Sequence, residues 1–470
     1  MSSPGASKLI TALLLVVLAG SLRFYKLGDW PFAGDETATL AEERSLFVSE
    51  DTSRDSQTYR LPRIIPLSYL FLHVGNSLFG RDEFGSRVML AILGTLNVGL
   101  VFLMLDALKG RATAIATALL VALWPQDVFQ SQQARFYVVA AFFSCLCMFI
   151  GAFVAQRRST LLSLALGCSV FVAILCHTLL GVLLPITFAG VIAGTYAERR
   201  VLPKNVILVF LATAIGVGLF FALYLKPLLT GWNAGNTWGY GVVYSVLASV
   251  YMVGWSVASL GAVGLLLLAR QRTAQNWYWI TCALGWAAAS VVFPMVTVYH
   301  LAYVFPLAIG ILVPAGCTIG TVYEGLRSKS MLIGAALVAA ACLANLPSLV
   351  SHYRDGSRPD LRAAAQYVKK HWQAGDRVTG FSMGLFGHYA EGCQPAIPLL
   401  QSGAVAKLNE LAAGKGRVWV VLESNRLGLA DDTRRWLGAY CSDELKVRRT
   451  RFDYADYCVD VFLYGGKRAF

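Results

Sequence analysis

The 470-residue sequence predicts a polytopic α-helical membrane protein that carries a small soluble α/β domain at its C-terminal end. Three observations predict it. Hydrophobic residues make up 56% of the chain and charged residues only 14%, with a mean hydropathy of +0.58, which is more apolar surface than one water-soluble core can hide. Basic residues recur in the short connections on one side of successive apolar stretches. The composition then turns polar and mixed from about residue 355.

The spans follow in order. Apolar stretches run over about 9–22, 88–106, 112–126, 137–155, 160–177, 179–197, 205–225, 242–268, 277–298, 301–322 and 331–350. They predict about 11 transmembrane helices, some shorter than the ~20 residues that a straight crossing takes. Lys8, Lys109, Arg111, Arg157, Arg158, Arg199, Arg200, Lys204, Arg270, Arg272, Arg327 and Lys329 all fall on one side, which the positive-inside rule makes cytoplasmic. The expectation is a multi-pass protein of the plasma (inner) membrane, with the N-terminus inside and the C-terminal domain extracytoplasmic. Much of the net charge of +13 is topogenic, and no nucleic-acid module is present to use the rest. No small-residue cleavage site follows the first apolar stretch, so it reads as an anchor and not as a removable signal.

Two domains are expected, a bundle over 1–354 and a soluble unit over 355–470. In the tail, SRPDLRAAAQYVKKHW places Leu361, Ala364, Ala365, Val368 and Trp372 at helical spacing behind Pro359 and Asp360. AGDRVTGFS and RVWVVLES read as strands, DDTRRWLGAY as a helix, and LKVRRTRF with YCVDVFLYG as a strand pair. Of the ten cysteines, Cys145, Cys147, Cys168, Cys176, Cys282, Cys317 and Cys342 lie in apolar spans as small buried side chains. Cys393, Cys441 and Cys458 lie in the tail, where an oxidising compartment leaves a Cys441–Cys458 disulfide open. No Cys/His spacing suggests zinc; no cofactor is implied, a divalent metal being left open.

The candidate chemistry sits in the outer loops. FAGDETATLAEERSLF, residues 32–47, sets Asp35 beside Glu36 just past the first span, where the pair can begin and solvate a helix or can serve a reaction. Residues 66–79 are apolar but too short to span and are bounded by Arg63 and Arg81, as expected of a helix lying in the interface. WPQDVFQSQQARFY adds Asp127, Gln132, Gln133 and Arg135 at a second outer turn. Ionisable groups at such depth face a bundle interior or a water-filled cavity. Carboxylates and cations together suit transfer of a sugar from a polyprenyl phosphate. Its leaving group is already acidic and needs charge neutralisation, while the acceptor needs one base. Glycoside hydrolysis, by contrast, needs an acid and a base at a set separation.

These stretches, in this order, resemble the GT-C class of integral-membrane glycosyltransferases, specifically the branch of the protein O-mannosyltransferases and aminoarabinose transferases (glycosyltransferase family 39-like). The resemblance runs through LRFYKLGDWPFAGDE, PLSYLFLHVGNSLFGRDEFGSRVMLAILGTL, WPQDVFQSQQARFY, YHLAYVFPLAIGIL and DLRAAAQYVKKHWQAGDRV. It implies a GT-C-like bundle with interface helices in the first outer loop, and it implies Asp35 as the base or substrate-orienting carboxylate, with Glu36 beside it. Relatives often carry an acid at the second outer turn, where this chain has Gln133 and Tyr137, so Asp127 is the nearby candidate. Relatives commonly begin the late-span pattern with Arg-Tyr; His300 and Leu301 stand there, with Tyr299 and Tyr303 close by. Arg63 and Arg135, with His300, Tyr299 and Tyr303, are the candidates for the donor phosphate, although arginines at an interface also meet anionic lipid. Trp232, Trp238, Tyr240 and Gln132 are the candidates for the sugar, an aromatic belt being the other reading of the rings.

The expected function is transfer of a hexosyl or pentosyl group from a polyprenyl-phosphate donor to a lipid, glycan or protein acceptor on the outer face, with inversion. A polysaccharide polymerase or ligase, or a transporter of lipid-linked sugar, is the alternative. A transporter should show repeated halves with broken spans and charges at midplane. The sequence has neither. Expected partners are the lipid-linked donor, the bilayer and an extracytoplasmic acceptor, with no nucleic acid.

Overall fold

A computed structural model of the chain describes residues 4–47, 66–225, 241–296, 301–325, 330–394, 396–399, 403–414, 416–423, 430–450 and 456–465. It divides into two compact units. One comprises the chain up to Tyr25 together with Glu42–Leu346; the other joins Lys26–Ala41 to Pro347–Phe470. The second unit therefore takes in the segment after the first helix as well as the tail from which the sequence defines it.

The first unit is a bundle of apolar helices. Among the described residues of the chain, eight helices are long and apolar enough to cross a membrane, and up to ten crossings result if each of two bent helix pairs makes one. Thr160–Cys176 is a shorter apolar helix of 17 residues, and it is where the expected eleventh span falls. The bends have local causes. Pro125 offers no N–H and forces Trp124 into extended backbone, so the chain turns by 59° between Arg111–Ala122 and Pro125–Ser131. Gly254, at φ +96°, turns Val242–Val253 into Trp255–Arg270 by 94°, a backbone that side chains rarely adopt.

Ion pairs join helix ends in this unit: Asp106 accepts from Lys8 at 3.0 Å and from Arg111 at 2.7 Å, and Arg158 meets Glu198 at 2.5 Å. The amphipathic helix expected between Arg63 and Arg81 is Leu67–Phe79, whose 13 residues, about 20 Å, are too few to cross.

In the second unit a five-stranded sheet has the order β2-β1-β3-β5-β4, with β1 Arg377–Gly380, β2 Ala396–Pro398, β3 Val418–Glu423, β4 Cys441–Thr450 and β5 Asp456–Tyr464. β1 is parallel to both β2 and β3, which helices Met383–Tyr389 and Ala404–Ala412 make possible by carrying the chain back; β5 runs antiparallel to β3 and β4. Every residue of VWVVLE in β3 is buried, as a central strand requires. Helix Leu361–His371 begins where Asp360 accepts the Ala363 N–H at 3.0 Å, and it buries Leu361, Ala364, Ala365 and Val368.

The register settles the cysteine question. Cys441 stands opposite Tyr464 and Cys458 opposite Arg448, seven positions along β4 from Cys441 and so about 23 Å away. A disulfide needs Cα atoms within about 7 Å, so the two strands hold these thiols apart and do not join them.

Candidate active-site residues

Helix Gly34–Phe47 carries four acids, and its turn spacing sorts them into two faces. Glu36, Thr39 and Glu43 form a buried stripe; Asp35 and Glu42 lie one position earlier.

Within the second unit, Glu36 is wholly buried. Its Oε2 accepts the Ala33 N–H at 2.8 Å, closing the helix start as in a capping box, and accepts from Arg358 Nη1 at 3.1 Å. A carboxylate in dry surroundings persists only with such a partner. Glu36, expected beside the base, thus holds the helix start to Arg358. Asp35 is exposed in the same first turn. The surrounding segment is tied down on either flank: Phe32 N–H donates to Tyr389 Oη at 2.6 Å, and Lys26 Nζ donates to the Tyr353 carbonyl at 3.3 Å. Gly356, at φ +71°, lies against the Trp30 ring, where a Cβ would come within 2.6 Å of it.

Within the bundle, Glu43 is held by three side chains. Arg81 reaches both its oxygens at 3.0 and 3.1 Å, His73 Nδ1 lies 2.7 Å away, and Asn76 donates at 3.2 Å. Glu42 is half-buried and accepts from Tyr69 Oη at 2.8 Å. Burial pushes its carboxyl above the ordinary value, against the pull of the Tyr69 hydrogen bond and the charge of Arg135. Burial and the charge of Glu42 likewise push the Tyr69 hydroxyl up, so Tyr69 stays a donor.

Arg135 lies over two rings, 4.6 Å from the Phe136 centroid and 5.5 Å from that of Tyr137. The His177 ring is 4.9 Å from Phe136, 6.2 Å from Tyr137 and 5.8 Å from Tyr303. Its Nδ1 accepts the Leu179 N–H at 3.2 Å, so its own proton sits on Nε2. One guanidinium, four rings, a tyrosine hydroxyl and a carboxyl thus meet in one unit. Such a group can receive an anion: the fork binds two oxygens, and Tyr69 and the imidazole N–H can donate. The sequence singles out Arg135 and Tyr303 in this group, but not Glu42, Tyr69 or His177. Glu42 was signalled by its place two helical turns after Asp35.

The raised Glu42 proton affinity predicts a stability trend. Its favourable protonated state is fully present below the unfolded carboxyl value and is lost as pH rises through the higher folded one. Thermal unfolding in detergent is expected to show stability falling across that acidic window, and Glu42→Gln should flatten the fall. An unchanged slope in the variant would contradict the placement.

Asp127 and Gln132 both meet the end of the first helix. Asp127 is 1% exposed and pairs with the wholly buried Arg23, whose guanidinium also donates to the Ala19, Val121 and Ala122 carbonyls at 3.1, 3.3 and 3.4 Å. Asp127 also lines a small pocket with Trp124, Cys145 and Phe305. Gln132 donates to the Arg23 and Tyr25 carbonyls at 3.0 and 2.9 Å, capping carbonyls that the first helix leaves open. Together these contacts hold the end of Pro4–Phe24. Arg63, Trp232, Trp238, Tyr240, Tyr299 and His300 lie outside the described residues.

Among the described residues no three His, Cys, Asp or Glu side chains converge to hold a metal ion. The family model of dolichyl-phosphate-mannose-protein mannosyltransferases matches residues 62–224. No curated protein sequence matches the chain. Among solved structures, ArnT from Cupriavidus metallidurans bound to undecaprenyl phosphate shares the fold with a TM-score of 0.59 and 16% identity, over 95% of this chain and 97% of that one. Its apo state gives 0.59 and 17%, over 97% and 98%. The archaeal oligosaccharyltransferase AglB from Archaeoglobus fulgidus, in complex with an inhibitory peptide and a dolichol-phosphate, gives 0.56 and 13%, over 88% and 69%. The fold is the GT-C fold of membrane glycosyltransferases, as the sequence predicts.

Proposed function

We propose that this chain is a multi-pass membrane glycosyltransferase that moves a sugar from a polyprenyl-phosphate donor to an acceptor on the outer face of the membrane, with inversion. The observation that carries the reading is the fold, shared almost end to end with a protein solved with undecaprenyl phosphate bound. The acceptor hydroxyl or amine attacks the anomeric carbon from the face opposite the phosphate, and Asp35 takes its proton. The bond from that carbon to the phosphate oxygen breaks, and its electron pair leaves with the phosphate. Arg135 and Arg63, with Tyr299, His300 and Tyr303, would neutralise that charge. Trp232, Trp238 and Tyr240 would stack on the sugar.

The N-terminus lies in the cytoplasm and the C-terminal domain outside, at the inner membrane of the cell; the basic helix ends support this orientation. Active alkaline phosphatase fused to the C-terminus agrees with it, and an inactive fusion contradicts it. The donor site has its own test. Arg63→Lys and Arg135→Lys keep the charge but lose the bidentate fork, so each is expected to weaken binding of undecaprenyl phosphate by about tenfold. Unchanged affinity after Ala at both positions places the phosphate elsewhere.

A further inference from the structure

We infer that Arg358 is a positioning residue for the transfer, holding the turn from which Asp35 acts. The inference rests on the proposed reading of Asp35 as the base. Arg358 is 2% exposed, so it touches no substrate. Its Nε–H donates to the Gly356 carbonyl at 3.0 Å, and Nη1 donates to Glu36 at 3.1 Å and to the Pro31 carbonyl at 3.5 Å. One planar group therefore joins two backbone carbonyls and the Glu36 carboxylate.

Glu36 relays that hold. The oxygen that meets Arg358 also accepts the Ala33 N–H at 2.8 Å, and only Gly34 and Asp35 lie between those two anchors. The flanks are fixed within the same unit, with Phe32 N–H on Tyr389 Oη at 2.6 Å and the Arg362 guanidinium donating to the Asp29 carbonyl. Asp35 is the exposed side chain of an otherwise clamped turn. A base displaced by about 1 Å can lose about 100-fold in rate, so a residue that never meets the substrate can govern turnover.

The tail thereby sets the base. A buried arginine is an expensive way to hold a loop, because removing it leaves Glu36 charged and without its cation. The geometry explains why an arginine is used: a lysine offers a point charge and cannot span residues 31, 36 and 356 in one plane.

The test uses the full-length purified chain and its Arg358→Gln, Arg358→Lys and Glu36→Gln variants. Three quantities are read: turnover, undecaprenyl phosphate affinity, and amide hydrogen exchange over residues 33–40. Arg358→Gln is expected to lower kcat by about tenfold or more, to leave the affinity within about twofold, and to speed exchange in that segment alone. Arg358→Lys should recover part of kcat. If Arg358→Gln does not fold, Glu36→Gln, which keeps a hydrogen-bonding amide, must show the same loss confined to kcat. A folded Arg358→Gln with wild-type kcat, unchanged exchange, or a loss carried wholly by donor affinity overturns the inference. Undiminished turnover in Asp35→Asn would remove the reading beneath it, whereas dependence on Asp35 with indifference to Arg358 removes only the inference.

Discussion

The Asp35→Asn variant is expected to fold like the wild type and to lose about 100-fold or more in turnover. Asn keeps the size of the side chain and its place in the first turn of Gly34–Phe47, and Asp35 is exposed, so the substitution disturbs little packing. What it removes is the capacity to take a proton. Substitution of Glu36 should behave differently, since that acid holds Ala33 and Arg358 together. Loss of Glu36 should loosen the turn and lower stability. Undecaprenyl phosphate should still bind Asp35→Asn, because the base acts on the acceptor. A folded Asp35→Asn protein with near-normal turnover would end the assignment.

The second large effect is on stability. Replacing Arg23 by Met leaves the Asp127 carboxylate buried without its cation and strips donors from the Ala19, Val121 and Ala122 carbonyls. The cost of breaking such a pair is about 3–5 kcal/mol, enough to abolish a folded yield. Asp127→Leu should do comparable harm by isolating Arg23. The double variant Arg23→Met/Asp127→Leu removes both charges at once and should recover much of the thermal midpoint in detergent. A well-folded Asp127→Asn protein without activity would instead return Asp127 to the chemistry.

The spans were legible because bilayer thickness leaves so strong a mark on hydropathy. The bends were legible only as ingredients: Pro125 and Gly254 stand in the sequence, but whether a pair of helices straightens into one crossing depends on packing around them. The interface helix Leu67–Phe79 was readable from its length and flanking arginines. The tail's longer elements followed from periodicity, whereas the three residues of Ala396–Pro398 are too few to show a period.

The site was legible in its chemistry more than in its division of labour. Adjacent acids look alike in sequence, and the structure separates Asp35 from Glu36 through Arg358, a residue 322 positions away from Glu36. No local pattern carries such a pairing. Asp127 and Gln132 drew attention for a sound reason, since polar groups at a span's mouth are costly, but the cost is met here by Arg23 and by open helix carbonyls. Glu42 was overlooked because a helix rich in acids reads as solvated; half-buried and bonded to Tyr69, it is not.

The most direct test of the proposed transfer is mass spectrometry of membrane lipids and surface glycans from cells carrying either the wild-type chain or Asp35→Asn. The account predicts that the variant cells lose one sugar modification at the surface and accumulate the same sugar on polyprenyl phosphate. Identical surface glycans and identical lipid-linked sugars in the two would contradict it.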